Sequence, residues 1–508
     1  MMSQTRVGNW LKSHGQILLF FFFSFALLAY VQFAGPSITG YDGYYHIKVA
    51  DLMRQHGLVL DFPWLSLTVL DRENYTDHHW LLHLIQLPFT ALFDDLVDAA
   101  KWSAVFVAAL AFTAFGWLLL RYRMPLPLVW VFILAAASSP FLYRFSMARG
   151  QSLALVFQIV AFYFLIKKKP YALGVLAVLF VLAYDGFAIL APLVLFALIA
   201  HYVVDRRIEY TLIVATGVGV AIGLLIHPYF PNNINFLWTH IVPKLFANGY
   251  GTGVGSEWYP YKTWQWFTES SVAIIAFMGA LFFVKLEDLR KDKAQLFWLL
   301  AATMYFLLYL KSRRFVEYFP PAAVLALAFV MRERLQAVSL GWLKNHRWST
   351  VGLAAVGVGV LVGYFTVMGD VRSDIRAQFP SNAFHGASEY LKTHSKKGEL
   401  VFQSDWDDFP RLFFHNTHNL YLLGLDPDFM RLKYPDLFRQ WKQITRGRYK
   451  KPSIFFKKLN IRYAITEARM KKFNRAMSRD KEFERVYKDK YAVVYKLKEA
   501  LNDSSFRP

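Results

Sequence analysis

The residues best equipped for chemistry fall in a few short stretches. In GYDGYYHIKVADLMRQHG, residues 40–57, one early carboxylate, Asp42, stands among aromatic side chains with His46 close by. A carboxylate so placed can take or orient the proton of a hydroxyl or an amide, each a poor nucleophile until that is done. It can equally cap the helix that YYHIKVADLMRQ would form. In NYTDHHWLLHLIQLPF, residues 74–89, His79 and His83 stand four apart and would share one helix face, as metal ligands can. The stretch lacks the glutamate of H-E-x-x-H. A third ligand would have to be Asp77 or Asp42, and such histidines can instead face substrate or satisfy hydrogen bonds. KSRRF, residues 311–315, gathers Lys311, Arg313 and Arg314, cations suited to a bound anion. The chain has no cysteine, so thiolate nucleophiles, thiolate metal sites and disulfides are excluded. Carboxylates, histidines and arginines must supply any chemistry.

The elements that hold these groups are membrane spans. The 508 residues are 56% hydrophobic and 18% aromatic, and several apolar runs approach the roughly 20 residues needed to cross a hydrocarbon core. Runs near 17–35, 102–120, 127–143, 151–166, 170–184, 186–204, 210–227, 270–285, 295–311, 316–331 and 349–368 predict a polytopic α-helical membrane protein of about eleven to thirteen transmembrane helices. The first run exceeds the roughly 7–15 residues of a cleaved signal core and reads as an uncleaved span. Arg6 and Lys12, RYR at 121–123, KKK at 167–169, DRR at 205–207, KLEDLRKDK at 285–293 and the basic loop at 332–347 then share one side, cytoplasmic by the positive-inside rule. The exported face receives loops 36–100 and 228–269, RFSMARG at 144–150, YDG at 184–186, KSRR and the tail. KSRR breaks the charge rule there, which again points to a bound anion.

Two domains are expected. Residues 1–370 would form the transmembrane domain with the two long external loops, and 371–508 a small soluble α/β or α+β domain on the same face, with a helix in NAFHGASEYLKTH and strands in GELVFQS, RYAIT and YAVVYKL. That tail carries 29 Lys and Arg against 16 Asp and Glu, or +13 of the chain's net +21.

The first-loop pattern resembles the D-x-x-Y-H motif of the catalytic subunit of archaeal and eukaryotic oligosaccharyltransferases, within the GT-C glycosyltransferases, and the layout of spans, long external loops and soluble tail is similar. The resemblance implies an inverting transfer of a sugar or oligosaccharide from a polyprenyl-phosphate or polyprenyl-pyrophosphate donor. Asp42 would orient the acceptor and contact any metal. Glu257, in GVGSEWYPY, loosely matches the S-V-S-E or T-I-x-E motif and would be the second carboxylate, with Asp185 a third. The aromatics Trp258, Tyr259 and Tyr261 beside it could stack on sugar or form an interfacial belt. The second loop departs from the family. RFSMARGQSLAL carries Arg149 and Gln151 where an acidic pair would bind a divalent metal, magnesium or manganese, so the site is expected to grip phosphate with guanidinium, unless Arg149 only marks a helix end. SDWDDFP at 404–410 matches the W-W-D signature too loosely to imply recognition of an asparagine sequon.

The expected site is therefore Asp42 and Glu257 as catalytic carboxylates and His46, His79, Arg149, Arg313 and Arg314 as substrate-binding groups. Any metal would draw on Asp42, Glu257, His79 and His83. The expected partners are a polyprenyl-linked sugar donor, membrane lipids and a protein, lipid or glycan acceptor, with no nucleic acid, at the outer face of a bacterial inner membrane. An O-antigen or exopolysaccharide ligase or polymerase is the rival enzyme and a lipid-linked glycan transporter or flippase the rival without chemistry. A transporter should show mid-span charges and internal repeats.

Overall fold

The computed structural model describes residues 2–241, 255–262, 264–337 and 347–498. The glycine-rich stretch 248–254 and the loop at 338–346 lie outside the described residues. Among the described residues five helices are long and apolar enough to cross a membrane: Gly15–Gln32, Leu96–Arg121, Asp185–Asp205, Lys293–Lys311 and Thr350–Arg376. Shorter apolar helices, among them Gln151–Ile166, Pro170–Ala183, Tyr210–Leu225 and Ser271–Phe283, fall on runs read above as spans.

The Asp42 and Arg149 side of the site is positioned by the first seven helices: α1 (Met2–Gln32), α2 (Asp42–His56), α3 (Trp80–Leu92), α4 (Leu96–Arg121), α5 (Pro127–Ala135), α6 (Ser139–Phe145) and α7 (Gln151–Ile166). Glu257 comes from the short turn Ser256–Trp258, and Arg314 and Glu317 from the turn Arg313–Glu317. The run 127–143, expected as one continuous span, is broken. α5 and α6 meet at 93°. The cause is local: Ser138 is extended, its Oγ accepts from Phe141 N at 3.3 Å, and Pro140 falls in the first turn, where a missing N–H costs nothing. Ser270 Oγ lies 2.9 Å from Ser138 Oγ and ties the break to a neighbouring helix. After the break, α6 carries Arg144 and leads into the turn that holds Arg149.

The C-terminal part is a mixed five-stranded sheet in the order β2-β1-β3-β5-β4, built from β1 (Leu400–Gln403), β2 (Leu420–Tyr421), β3 (Tyr463–Glu467), β4 (Phe483–Lys488) and β5 (Ala492–Leu497). β1 runs parallel to β2 and β3, and β5 antiparallel to β3 and β4. Alternation along the strands assigns two faces. Val401, Ile465 and Val494 join a core with Tyr45, Val49, Leu52 and Met53 of α2, Phe62 of the first loop, and Phe409 and Phe413 of the helix Phe409–His415. Phe402, Ala464 and Val493 pack on the other side against the helices Pro452–Lys458 and Lys471–Arg479. The first loop and the C-terminal sheet thus share one core. Each buried Phe or Tyr in it contributes about 1.5–3 kcal/mol by burial. Tyr421 N donates to Trp64 O at 2.9 Å and Trp64 Nε1 to Thr417 O at 2.8 Å, so the backbone is stitched as well.

Candidate functional site

Asp42 is the first residue of α2. Tyr41 occupies the capping position and no side chain makes the cap hydrogen bond. The Asp42 carboxylate turns instead to Arg149, whose Nη2 lies 3.2 Å from Oδ2. Close approach of the two loops makes this pair. A Cβ on Gly43 would lie 3.4 Å from Ala148 Cβ, and one on Gly150 3.3 Å from His79 Cδ2 and 2.8 Å from Tyr184 Cδ2, so the loops meet where both residues are glycine. With the Gln151 amide oriented carbonyl-first, its oxygen accepts from Arg149 Nε at 3.1 Å and Nη2 at 3.3 Å. Gln151 therefore holds the guanidinium that faces Asp42.

Glu257 lies in a short 3-10 turn, Ser256–Trp258, and is the hub of a cation cluster. Its carboxylate meets Arg144 Nη1 at 2.9 Å, Arg314 Nη1 at 3.2 Å and Arg149 Nη1 at 3.8 Å. Burial alone would raise this carboxyl, but Arg144, then Arg314 and Arg149, hold it well below the ordinary carboxylate range. Arg144 also binds the fully buried Glu317. Arg314 Nη2 donates to Tyr184 Oη at 3.0 Å, and its guanidinium lies 4.6 Å from the Trp258 ring centre. Arg144, Arg149 and Arg314 face Asp42, Glu257 and Glu317, three cations against three anions.

Behind this cluster a buried polar chain enters from the first loop. Asp77 Oδ2 lies 2.6 Å from His83 Nδ1, and His83 Nε2 lies 2.8 Å from His46 Nδ1. With Asp77 ionised, His83 carries its proton on Nδ1 and accepts from His46, which leaves His46 Nε2 unprotonated. Burial holds His46 well below its ordinary value, followed by the charges of His83, Arg149 and His78. Burial does the same to His79, then His78 and His46. The His79 ring lies 4.7 Å from that of His46 and 5.4 Å from that of Tyr184, so imidazoles line the path from Asp77 to the arginines.

The structure brings Asp42, Glu257, Arg149 and Arg314 together, with His46 and His79 alongside. It turns Arg313 away: Nε donates to Pro260 O at 3.2 Å and the guanidinium stacks 5.1 Å from the Tyr261 ring, fastening the second long loop. Sequence reasoning missed Arg144 and Glu317. Arg144 opens the quoted stretch RFSMARG, where attention falls on Arg149, and Glu317 sits inside an apolar run with nothing to mark it. It also set aside SDWDDFP, which stands against the site. Trp406 Cη2 lies 4.0 Å from where a Cβ on Gly255 would stand, and burial, then the charges of Asp405, Asp42 and Glu257, push the Asp407 carboxyl well above its ordinary range. Arg411, almost fully buried, stacks between Tyr41 at 4.5 Å and Phe379 at 5.0 Å and steadies the start of α2.

Among the described residues no group of three or more His, Asp or Glu is placed to hold a metal ion. The reason is visible in the donors. His83 has both ring nitrogens engaged, and Glu257 and Asp42 are occupied by guanidinium groups. This donor set does not fit a hard divalent cation, which asks for several free oxygen ligands.

No protein-family model matches the chain, and no curated protein sequence matches it. Solved structures do resemble it. The apo oligosaccharyltransferase of Archaeoglobus fulgidus superposes with a TM-score of 0.65 at 12% identity, over 89% of this chain and 69% of that one. ArnT from Cupriavidus metallidurans bound to undecaprenyl phosphate gives 0.59 at 13% identity over 95% and 98%, and the mycobacterial arabinofuranosyltransferase AftD 0.52 at 11% over 95% and 40%. The chain shares the fold of these structures. The Archaeoglobus enzyme has also been solved with an inhibitory peptide and a dolichol-phosphate, and with zinc and sulfate.

Proposed function

We propose that this protein is an integral-membrane glycosyltransferase that moves a sugar or oligosaccharide from a polyprenyl-phosphate or polyprenyl-pyrophosphate donor to a protein, lipid or glycan acceptor on the exported side, with inversion. In this reading the shorter apolar helices are spans too, about eleven in all. The observation that carries it is the convergence of Arg144, Arg149 and Arg314 beside Asp42. Structures of this fold hold undecaprenyl phosphate and dolichol-phosphate, which supports a donor of that class.

The acceptor hydroxyl or amide gives its proton to Asp42 as its heteroatom bonds to the anomeric carbon. The anomeric C–O bond breaks, and its electron pair leaves with the donor phosphate. Guanidinium groups already in place stabilise that developing charge. The cluster is neutral without a donor, so an incoming phosphate needs one carboxylate to yield its cations. Glu317 is fully buried and Asp42 opens a packed helix, whereas Glu257 sits on a three-residue turn. The donor phosphate therefore takes the Arg144 and Arg314 contacts that Glu257 otherwise fills. His46 and His79, held neutral, line the acceptor side, and Asp77 and His83 fix the His46 ring.

The test is reconstitution in vesicles with a labelled undecaprenyl-phosphate sugar. Sugar transfer with equimolar release of undecaprenyl phosphate is expected, and Asp42→Asn should reduce it about 100- to 10,000-fold while donor binding survives. Movement of the intact lipid-linked sugar without release would replace this reading with transport. Full activity in Asp42→Asn, with loss in Arg149→Ala, would replace it with an arginine-centred ligase.

A further inference from the structure

Residues 446–481 carry 13 Lys and Arg against two acids, Glu467 and Asp480, so over half of the chain's net +21 lies in one short segment. The fold concentrates it further. Phe473 and Met477 bury one side of the helix Lys471–Arg479 and leave Lys471, Lys472, Arg475 and Arg479 exposed. The loop before the helix Pro452–Lys458 contributes Arg446, Arg448, Lys450 and Lys451, also exposed. The two groups form one surface. A Cβ on Gly447 would lie 2.7 Å from Lys472 O, and Ser453 N donates to Asp480 Oδ2 at 3.0 Å. The ion pairs formed nearby, Lys457 with Glu482, Arg462 with Glu399 and Arg469 with Glu467, leave these eight cations out.

Eight like charges at close quarters repel one another and are tolerated only where water or a counter-charged partner screens them. We propose that this surface binds an acidic glycan, a polymer bearing a carboxylate or phosphate on each repeating unit, and presents it as the acceptor; the acceptor role rests on the transferase reading above. Lys471, Arg475 and Arg479 follow one another at single helical turns, roughly 6 Å apart along the axis, a row suited to a chain charged at regular intervals. The surface belongs to the Phe402 side of the sheet, opposite the side that packs on α2, which favours a polymer over the headgroups of the protein's own bilayer.

The experiment uses the full chain in phosphatidylcholine nanodiscs and fluorescent polygalacturonate as probe. Lys471→Gln/Lys472→Gln/Arg475→Gln/Arg479→Gln should weaken binding about tenfold or more and flatten its dependence on salt, since each exposed contact is modest and screened. A control of equal charge on other parts of the sheet domain, Lys396→Gln/Lys397→Gln/Lys488→Gln/Lys490→Gln, should leave binding within about twofold of wild type. Equal loss in both variants, or none in the first, overturns the proposal. Capture of the nanodiscs by phosphatidylglycerol liposomes through these four residues, with no polygalacturonate binding, overturns it in favour of a lipid surface. With a labelled undecaprenyl-phosphate sugar added, polymer binding without transfer to the polymer would overturn the acceptor role, whereas failure of the transferase reading itself shows as no release of undecaprenyl phosphate with any acceptor.

Discussion

Glu257→Gln separates two roles that the same geometry would allow. The substitution keeps shape and deletes one negative charge from the balanced cluster of three arginines and three carboxylates. Glu257 makes two direct contacts, 2.9 Å to Arg144 and 3.2 Å to Arg314, and a looser one of 3.8 Å to Arg149. Hydrogen bonds to charged groups are worth about 1.5–3 kcal/mol each, and partial exposure of these side chains puts the value toward the lower end. If a donor phosphate must displace Glu257, Gln returns at least one such contact to the ligand, and the Kd for undecaprenyl phosphate should fall about tenfold or more. Turnover should drop, because the leaving phosphate is then held too tightly, and Glu257→Asp should stay near wild type. The assay is displacement of labelled undecaprenyl phosphate from protein in nanodiscs. Because the arginines hold Glu257 ionised far below the ordinary carboxylate range, the difference should persist unchanged from pH 8 to pH 5. A Kd that rises in Glu257→Gln, as it should in Arg314→Ala, would refute the displacement argument and make Glu257 a brace for the arginines.

Burial holds His46 and His79 neutral well below 6.5, so between that value and their folded ones the unfolded chain binds more protons. Stability should therefore fall as pH drops below about 6.5, by up to about 1.4 kcal/mol per pH unit for each histidine, and His46→Gln should flatten the slope of Tm against pH; an unchanged slope would contradict the buried neutral ring. Since guanidinium groups occupy the carboxylates at the site, transfer should survive EDTA, and complete loss with rescue by manganese would return Asp42 and Glu257 to metal ligation. The absence of native thiols allows a topology test in intact cells, with cysteines introduced at exposed positions. Glu73→Cys and Ser478→Cys should react with an impermeant maleimide and Lys291→Cys should not, whereas the reverse pattern would move the site to the cytoplasm.

Much of the architecture was legible in the chain because apolar runs and loop charges are local properties. A run long enough to cross a bilayer declares itself as a helix, and β1, β3 and β5 showed as β-branched and aromatic clusters. β2 has two residues and β4 carries a polar pattern, so only sheet pairing defines them. The broken span at 136–138 was hidden because its apolar composition continues through the bend and only the Ser138 cap and its Ser270 contact reveal the turn. Asp42 and Arg314 could be proposed from residue type and position, since charges at the edges of apolar runs are costly without a task, whereas Glu257 and Arg149 stood out only through the resemblance to the oligosaccharyltransferase motifs. Their mutual pairing could not be proposed. Arg144 meets Glu257 across 113 residues and Glu317 across 173, and Asp77 reaches His46 only through His83. The sequence by itself determined a helical membrane protein with cations and carboxylates at its loop ends and a basic tail. Only the tertiary structure decided which charge neutralises which, because ion pairing depends on distances of a few ångströms between segments whose approach is set by packing of the whole bundle.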